Sequence, residues 1–391
     1  MKIIFLIIFM AICILDPSNT VFKLKELTFG LFILFSLGSF VKFFNASIFL
    51  SSFFLSFLFP LMFIITGLIV NSSFSQDVAL DYVKVFLFVF LINFILDNKY
   101  EYASIFSKLT IILVPATGAI LFFLLTDNFE IVDRFLGEYY NTVMISNREY
   151  GSTIFLMIYY KTVSTLLFGL AFCLTRRRSF KLNVLIFLIC FTLFLSATRA
   201  IFLSLFLILA FHSYKKFFSS SVLKKYLFVL ILGSLLIALA PAVLAAFFDK
   251  SEGSNSIKLS FVYEYLELWK SKPFLFLTGH GIGSGIYTSE RGLTYNLETT
   301  YFELFRIFGL FGGFLLIFIL IYPLFHCYLW RNRLNFGSVD IYYLMAYFCY
   351  VFFIIPSNPL FLSSTGILIV CITYSLIFKR SKKVFIGPLK L

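Results

Sequence analysis

The chain has 391 residues, 61% of them hydrophobic and 21% aromatic, and only 13% are charged, about half the share of a typical soluble domain. That balance excludes a water-soluble globule of this size. The formal net charge of +13 invites a nucleic-acid reading, but the basic residues sit in short stretches between apolar runs, where they mark membrane topology and exclude nucleic acid as a partner.

Twelve apolar segments long enough to cross a bilayer, or nearly so, follow in chain order: 3–22, 27–44, 46–70, 78–96, 105–125, 153–175, 182–198, 200–213, 226–248, 304–330, 339–356 and 359–378. The first has one lysine ahead of it, and "CILDPSN" offers no small-x-small cleavage site, so it is expected to remain as an anchor. The seventh and eighth are short and separated only by "ATRA", which fits two tight spans or a re-entrant pair. Twelve crossings put the clusters Arg176 to Lys181, Lys215 to Lys225, Arg331/Arg333 and Lys379 to Lys383 on one side, together with Lys2 and Lys42. By the positive-inside rule that side is cytoplasmic. The expected fold is therefore all-α: a single polytopic membrane domain over 1–391 with about twelve helices and cytoplasmic termini. Two long loops fall outside, at about 126–152 and 249–303. The six cysteines all lie in apolar runs without metal spacing and read as small apolar filler.

Within the 249–303 loop, "SIKLSFVYEYLELWKSKPF" places Phe261, Val262, Tyr265, Leu266 and Trp269 on one helical face, with Glu264, Glu267 and Lys270 opposite. This is an amphipathic helix suited to a membrane surface or to packing within its own loop. Then comes "TGHGIGSG", with glycine at 279, 281, 283 and 285. It is no P-loop, because Gly285 is followed by Ile-Tyr rather than Lys-Ser/Thr. It is no dinucleotide fingerprint either, since no βαβ unit surrounds it. A nucleotide is also the wrong ligand for an external loop.

Charges near spans are costly, about 2.5–3.5 kcal/mol at a helix centre on insertion scales. Here Asp81, Lys84, Lys161, Arg199, Glu303 and Arg306, with Arg148 and Glu298 in the loops, gather at one level near the outer face. Lys84 is expected to pair with Asp81, and Arg306 snorkels, pairs with Glu303 or faces a polar cavity. Lys161 lies well inside the sixth segment, and Arg199 sits at the outer turn between two apolar runs.

Two stretches carry a resemblance. "TGHGIGSG" followed by "LETTYFELFRIFGLFGGFLL", and "LSATRAIFLSL" with its Ser-x-x-Arg, resemble bacterial O-antigen polymerases of the Wzy type, in the superfamily that includes O-antigen ligases. The resemblance implies an enzyme of the inner membrane that joins undecaprenyl-pyrophosphate-linked sugar repeat units outside the cytoplasm, without cofactor or metal. The implied partners are that lipid-linked glycan, membrane lipid, a chain-length regulator and a flippase. Carried over, Arg199 matches the motif arginine. Glu298 stands at the polar position that ligases fill with histidine, which favours polymerase over ligase. Transfer from a pyrophosphate needs fixed cations for the departing charge and a base for the attacking hydroxyl. Glu298 and Arg199 are the expected catalytic pair. Lys161, Arg306, Arg148, Glu303, Gly281, Gly283 and Tyr301 are expected around the substrate, the glycines chiefly as a tight turn. A ligase, and a lipid-oligosaccharide flippase or transporter, remain the alternatives.

Overall fold

The computed structural model describes residues 1–18, 24–42, 44–70, 73–96, 100–126, 130, 142–150, 153–218, 253–289, 292–295, 299–330, 334–358 and 360–385. The predicted ninth span, Lys224, Lys225, Arg331, Arg333, Glu298 and most of the 126–141 loop lie outside these residues.

Helices dominate. They are α1 (Lys2–Leu15), α2 (Lys25–Lys42), α3 (Ala46–Val70), α4 (Gln76–Leu87), α5 (Tyr102–Leu125), α6 (Val163–Leu174), α7 (Phe180–Leu195), α8 (Arg199–Phe218), α9 (Gly253–Ser271), α10 (Pro273–Thr278), α11 (Thr300–Leu329), α12 (Ser338–Ser357) and α13 (Ser364–Phe385). A 3-10 turn, Phe88–Phe94, prolongs α4. Among the described residues, α3, α5, α11 and α12 are long and apolar enough to cross a membrane. Their outer surfaces fit that role. Phe311, Phe314, Phe318 and Phe325 recur at helical spacing along α11 and are all half or more exposed, a stripe that water would penalise and lipid would not. At the centre stands α6, whose residues 166–174 are all buried.

The chain is mostly helical, as expected of an all-α membrane protein, and two short antiparallel hairpins interrupt it. Val143–Tyr150 (β1) pairs antiparallel with Thr153–Tyr160 (β2), and Ile286–Thr288 (β3) pairs with Gly292–Thr294 (β4). The predicted sixth span is thus half strand. "TIFLMIYY" is a short, unbroken run rich in isoleucine and aromatics, which periodicity cannot assign, and here its strand preference prevails. Lys161 accordingly sits at the end of a hairpin, not inside a helix.

Contacts sort the helix ends into two groups. At one end Lys2 Nζ donates to the Phe94 carbonyl at 2.8 Å. There also Lys379 pairs with Glu101 at 2.8 Å, Arg380 with Asp340 at 2.6 Å, and Arg178 meets His212 at 3.1 Å. At the other end Thr162 donates to the Ile14 carbonyl and Thr365 to that of Cys13. Thr300 donates to the Asn358 carbonyl at 2.7 Å, and Ser75 N–H to that of Gly283 at 2.8 Å. The glycine run and Arg199 belong to this second end: α7 and α8 are adjacent, and the Arg178–His212 contact ties their far ends together.

Candidate functional site

Helix α11 is broken. At Gly309 the backbone turns to φ 62°, ψ −172°, a conformation closed to side chains with a Cβ. A break there deprives the carbonyls of Arg306 and Ile307 of the amides four residues on, which an unbroken helix would supply. The glycine run fills both vacancies. His280 N–H donates to the Arg306 carbonyl at 2.6 Å, and Gly281 N–H to that of Ile307 at 3.0 Å. The run then crosses α3, where Ile282 N–H donates to the Phe63 carbonyl at 2.8 Å. It closes on the loop before α4, where Gly285 N–H donates to the Ser73 carbonyl at 3.3 Å.

The alternation of glycine now has a physical reason. Gly279, Gly281 and Gly283 hold φ of 77°, 82° and 82°. A Cβ on Gly281 would lie 2.1 Å from the Gly67 nitrogen. Main chain packs on main chain with no room for side chains. The amides of His280, Gly281, Ile282 and Gly285 are thereby spent on carbonyls, so the run is a corner. Gly281 and Gly283 serve this corner by shape.

Arg306 locks this corner. It and Glu303 are each 1% exposed. Nε donates to Glu303 Oε2 at 2.8 Å and Nη2 to Oε1 at 2.6 Å, a bidentate pair. Nη1 reaches the Ser284 carbonyl at 2.7 Å and its hydroxyl at 3.2 Å, and Nη2 also reaches the Tyr295 carbonyl at 3.0 Å. All five guanidinium N–H groups are therefore engaged. Arg306 and Glu303, both expected around the substrate, are here engaged with one another and with the loop, and the fork has no donor left to offer. The sequence pointed to the Glu303 partner but not to the rest.

Tyr265, from the amphipathic helix α9, donates to Glu303 Oε2 at 3.0 Å. Burial, with Glu303 adding to it, pushes its phenol well above the usual range, so it stays a donor at any physiological pH. Phe261 and Tyr265 are fully buried, which fastens α9 by its apolar face. Beside the corner His280 is buried, and its Nε2 has no partner among the described residues. Burial and the nearby Arg306 and Lys272 draw its pKa down to about 4, so the imidazole is neutral.

Arg199 opens α8 directly after a strained turn. Ala197 has φ 44°, the one non-glycine residue in the left-handed region among those described, a placement costing about 1–2 kcal/mol. Such strain persists where the surroundings over-determine it, frequently at functional sites. Ser196 is buried and donates to the Leu193 carbonyl at 2.6 Å. Tyr301 donates to the Val351 carbonyl at 2.7 Å, on a π-helical turn at Tyr350–Ile354. Arg148 lies in β1 opposite Phe155, and its side chain lies outside the described residues. Lys84 pairs with Asp81 at 3.0 Å on an exposed face, as the sequence led one to expect. No metal-binding cluster occurs among the described residues. No family model, curated protein or solved structure matches this chain.

Proposed function

We propose that this chain is a glycosyltransferase of the bacterial inner membrane. It polymerises undecaprenyl-pyrophosphate-linked oligosaccharide repeat units into O-antigen or capsular polysaccharide at the periplasmic face. The observation that carries the reading is the shared neighbour of the two resemblance-bearing segments, about a hundred residues apart. Tyr301, from the first turn of α11, bonds Val351 within the π-helical turn of α12. Helix α8 packs against the same turn, and the Cys349 thiol approaches the Ser204 carbonyl at 3.9 Å, little more than one helical turn beyond Arg199. Single π turns are frequent at functional sites.

In this reading Arg199 holds the pyrophosphate, since a planar fork meets two phosphate oxygens at once. Glu298 takes the proton of the attacking sugar hydroxyl. The corner made by Gly281, Gly283, Glu303 and Arg306 fixes the start of α11. Twelve crossings with cytoplasmic termini complete the proposal.

The experiment is the surface glycan of a deletion strain. Single repeat units capping the lipid A core support a polymerase. Bare core with full-length polymer left on its lipid carrier indicates a ligase, and an absence of exported units a flippase; either outcome overturns the reading. Two variants sharpen it. Arg199→Ala should abolish polymer at normal protein level, with Arg199→Lys recovering only part. Glu298→Gln should leave single units on the core, because an amide cannot accept the proton. Full ladders from Glu298→Gln at normal expression would leave Glu298 only a favourable charge ahead of a helix start, worth about 0.3–1 kcal/mol.

A further inference from the structure

Helices α3 and α11 touch near Gly309 and then part. Phe308 of α11 stacks on Phe59 of α3 with ring centroids 5.2 Å apart, and meets Phe63 edge-on at 5.0 Å. On the earlier side of Phe59 a π-helical turn, Phe54–Leu58, interrupts α3. Such turns are rare and frequent at functional sites. Beyond it, toward its start, α3 packs on the 3-10 segment Phe88–Phe94, where the Asn93 amide donates to the Ser52 hydroxyl at 2.6 Å. Across from it Tyr374 of α13 donates to the Ile319 carbonyl of α11 at 2.8 Å. Each side is thus tied at its back, and a gap remains between them.

The gap is a cleft of about 840 Å³, within the range of about 300–1,000 Å³ typical of small-molecule sites. One wall is Leu315 and Phe318 of α11 with Val370 and Phe378 of α13, and the other is Ile48 and Leu55 of α3. Leu50 and Phe318, both lining it, are 64% and 57% exposed, so the cleft opens sideways. Asn45, Ser47 and Ser51 add polar groups toward the start of α3. That start lies at the basic end of the bundle. Phe49 meets Phe40, Phe40 meets Phe94, and the Phe94 carbonyl takes Lys2.

These features specify the occupant. Both α3 and α11 are long and apolar enough to cross a membrane, so lipid lies beside the opening. From Asn45 to Leu55 the lining follows α3 for about 15 Å at about 1.5 Å per residue. That is half of the hydrocarbon core of about 30 Å, the depth of one leaflet. The walls are apolar along this depth, and polar groups collect at one end, as in a lipid. Positive charge gathers at the same end: Lys42 closes α2 three residues before Asn45, and Lys379 follows Phe378. An apolar gap left empty forfeits the contacts of its lining, and a neighbouring acyl chain restores them.

We infer that this cleft holds one acyl chain of an anionic phospholipid, with the headgroup at the basic end. The glycine corner and Arg199 lie at the opposite end, so a lipid held here is independent of polymer synthesis.

The test is native mass spectrometry of the purified full-length protein, stripped of lipid in detergent. It is titrated with phosphatidylglycerol, with phosphatidylcholine, and with phosphatidylglycerol in competition with undecaprenyl phosphate. Wild type should retain one phosphatidylglycerol per chain and hold phosphatidylcholine less well. Ser51→Trp and Leu315→Trp fill the cleft, and each should weaken phosphatidylglycerol binding by about tenfold or more. Their lipid-free melting midpoints should match wild type, because both side chains line an open space. Phe311→Trp, on α11 at a position 76% exposed and outside the cleft, should bind as wild type does. Undiminished binding in both filled variants, or equal retention of the two phospholipids, overturns the proposal. So does preferential capture of undecaprenyl phosphate, which would make the cleft a polyprenyl site, or a second copy of the chain in place of the lipid.

Discussion

Gly281→Ala should remove most of the protein from the membrane fraction. The backbone at 281 has φ 82°, which costs an alanine about 1–2 kcal/mol before any contact is counted. The added methyl would lie 2.1 Å from the Gly67 nitrogen and 2.4 Å from the Phe63 carbonyl oxygen. Both are main-chain atoms inside α3, so neither can swing aside as a flexible side chain can. The corner must open. Opening breaks the bonds from His280, Gly281 and Ile282 to the carbonyls of Arg306, Ile307 and Phe63, each worth about 0.5–1.5 kcal/mol net. It also leaves the two carbonyls at the α11 break without partners. The sum reaches about 4–5 kcal/mol or more, a large part of a typical stability of about 5–15 kcal/mol. Gly292→Ala is the control. It too sits at positive φ, 66°, but nothing lies within 4 Å of its added methyl, so it should cost only the backbone term of about 1–2 kcal/mol. An immunoblot of membranes and a melting curve in detergent measure both. Wild-type level and midpoint for Gly281→Ala would mean that α3 and the glycine run do not touch as described.

Much of this was readable from the chain. Apolar runs located most helices, and the alternating glycines announced a tight turn. What failed, failed for local reasons. "TIFLMIYY" has the length of a strand and the composition of either element, and its partner "VMISNREY" is polar enough to pass for loop. The break at Gly309 is hidden because "IFGLFGGFLL" is apolar throughout. A glycine within a helix costs only about 1 kcal/mol, so nothing local distinguishes a tolerated glycine from a broken turn. Only the carbonyls of Arg306 and Ile307, and the amides that reach them from the glycine run earlier in the chain, settle it. Ala197 is hidden more deeply, since alanine is the best helix former and has no side-chain group that favours a left-handed backbone. For Arg306 the spacing gave the Glu303 partner. Ser284, Tyr295 and Tyr265 are contributed by the folded loop, which no spacing rule reaches. That difference turns a residue expected at substrate into one that holds the site's frame.

The same difference makes Arg306 the second large effect. If it served only a substrate, Arg306→Met would end activity and leave folding alone. Here its removal strands the Glu303 carboxylate at 1% exposure, with Tyr265 alone among the described residues still donating to it, and takes the Arg306 donors from the carbonyls of Ser284 and Tyr295. Breaking a buried pair in this way costs about 3–5 kcal/mol, so Arg306→Met should lower the unfolding midpoint sharply, by about 6 °C or more. Arg306→Lys should recover little, because three donors on a flexible stem cannot reproduce five on a fork. The double variant Glu303→Gln with Arg306→Met decides the cause. It removes the stranded charge, and the amide oxygen introduced at position 303 can still accept from Tyr265, while the two carbonyls still lack the Arg306 donors. It should therefore unfold at a higher temperature than Arg306→Met alone, yet below wild type, with a coupling of about 1–3 kcal/mol between the two positions. Additive effects would show that Glu303 and Arg306 do not bear on one another, and a wild-type midpoint for Arg306→Met would return the arginine to the substrate.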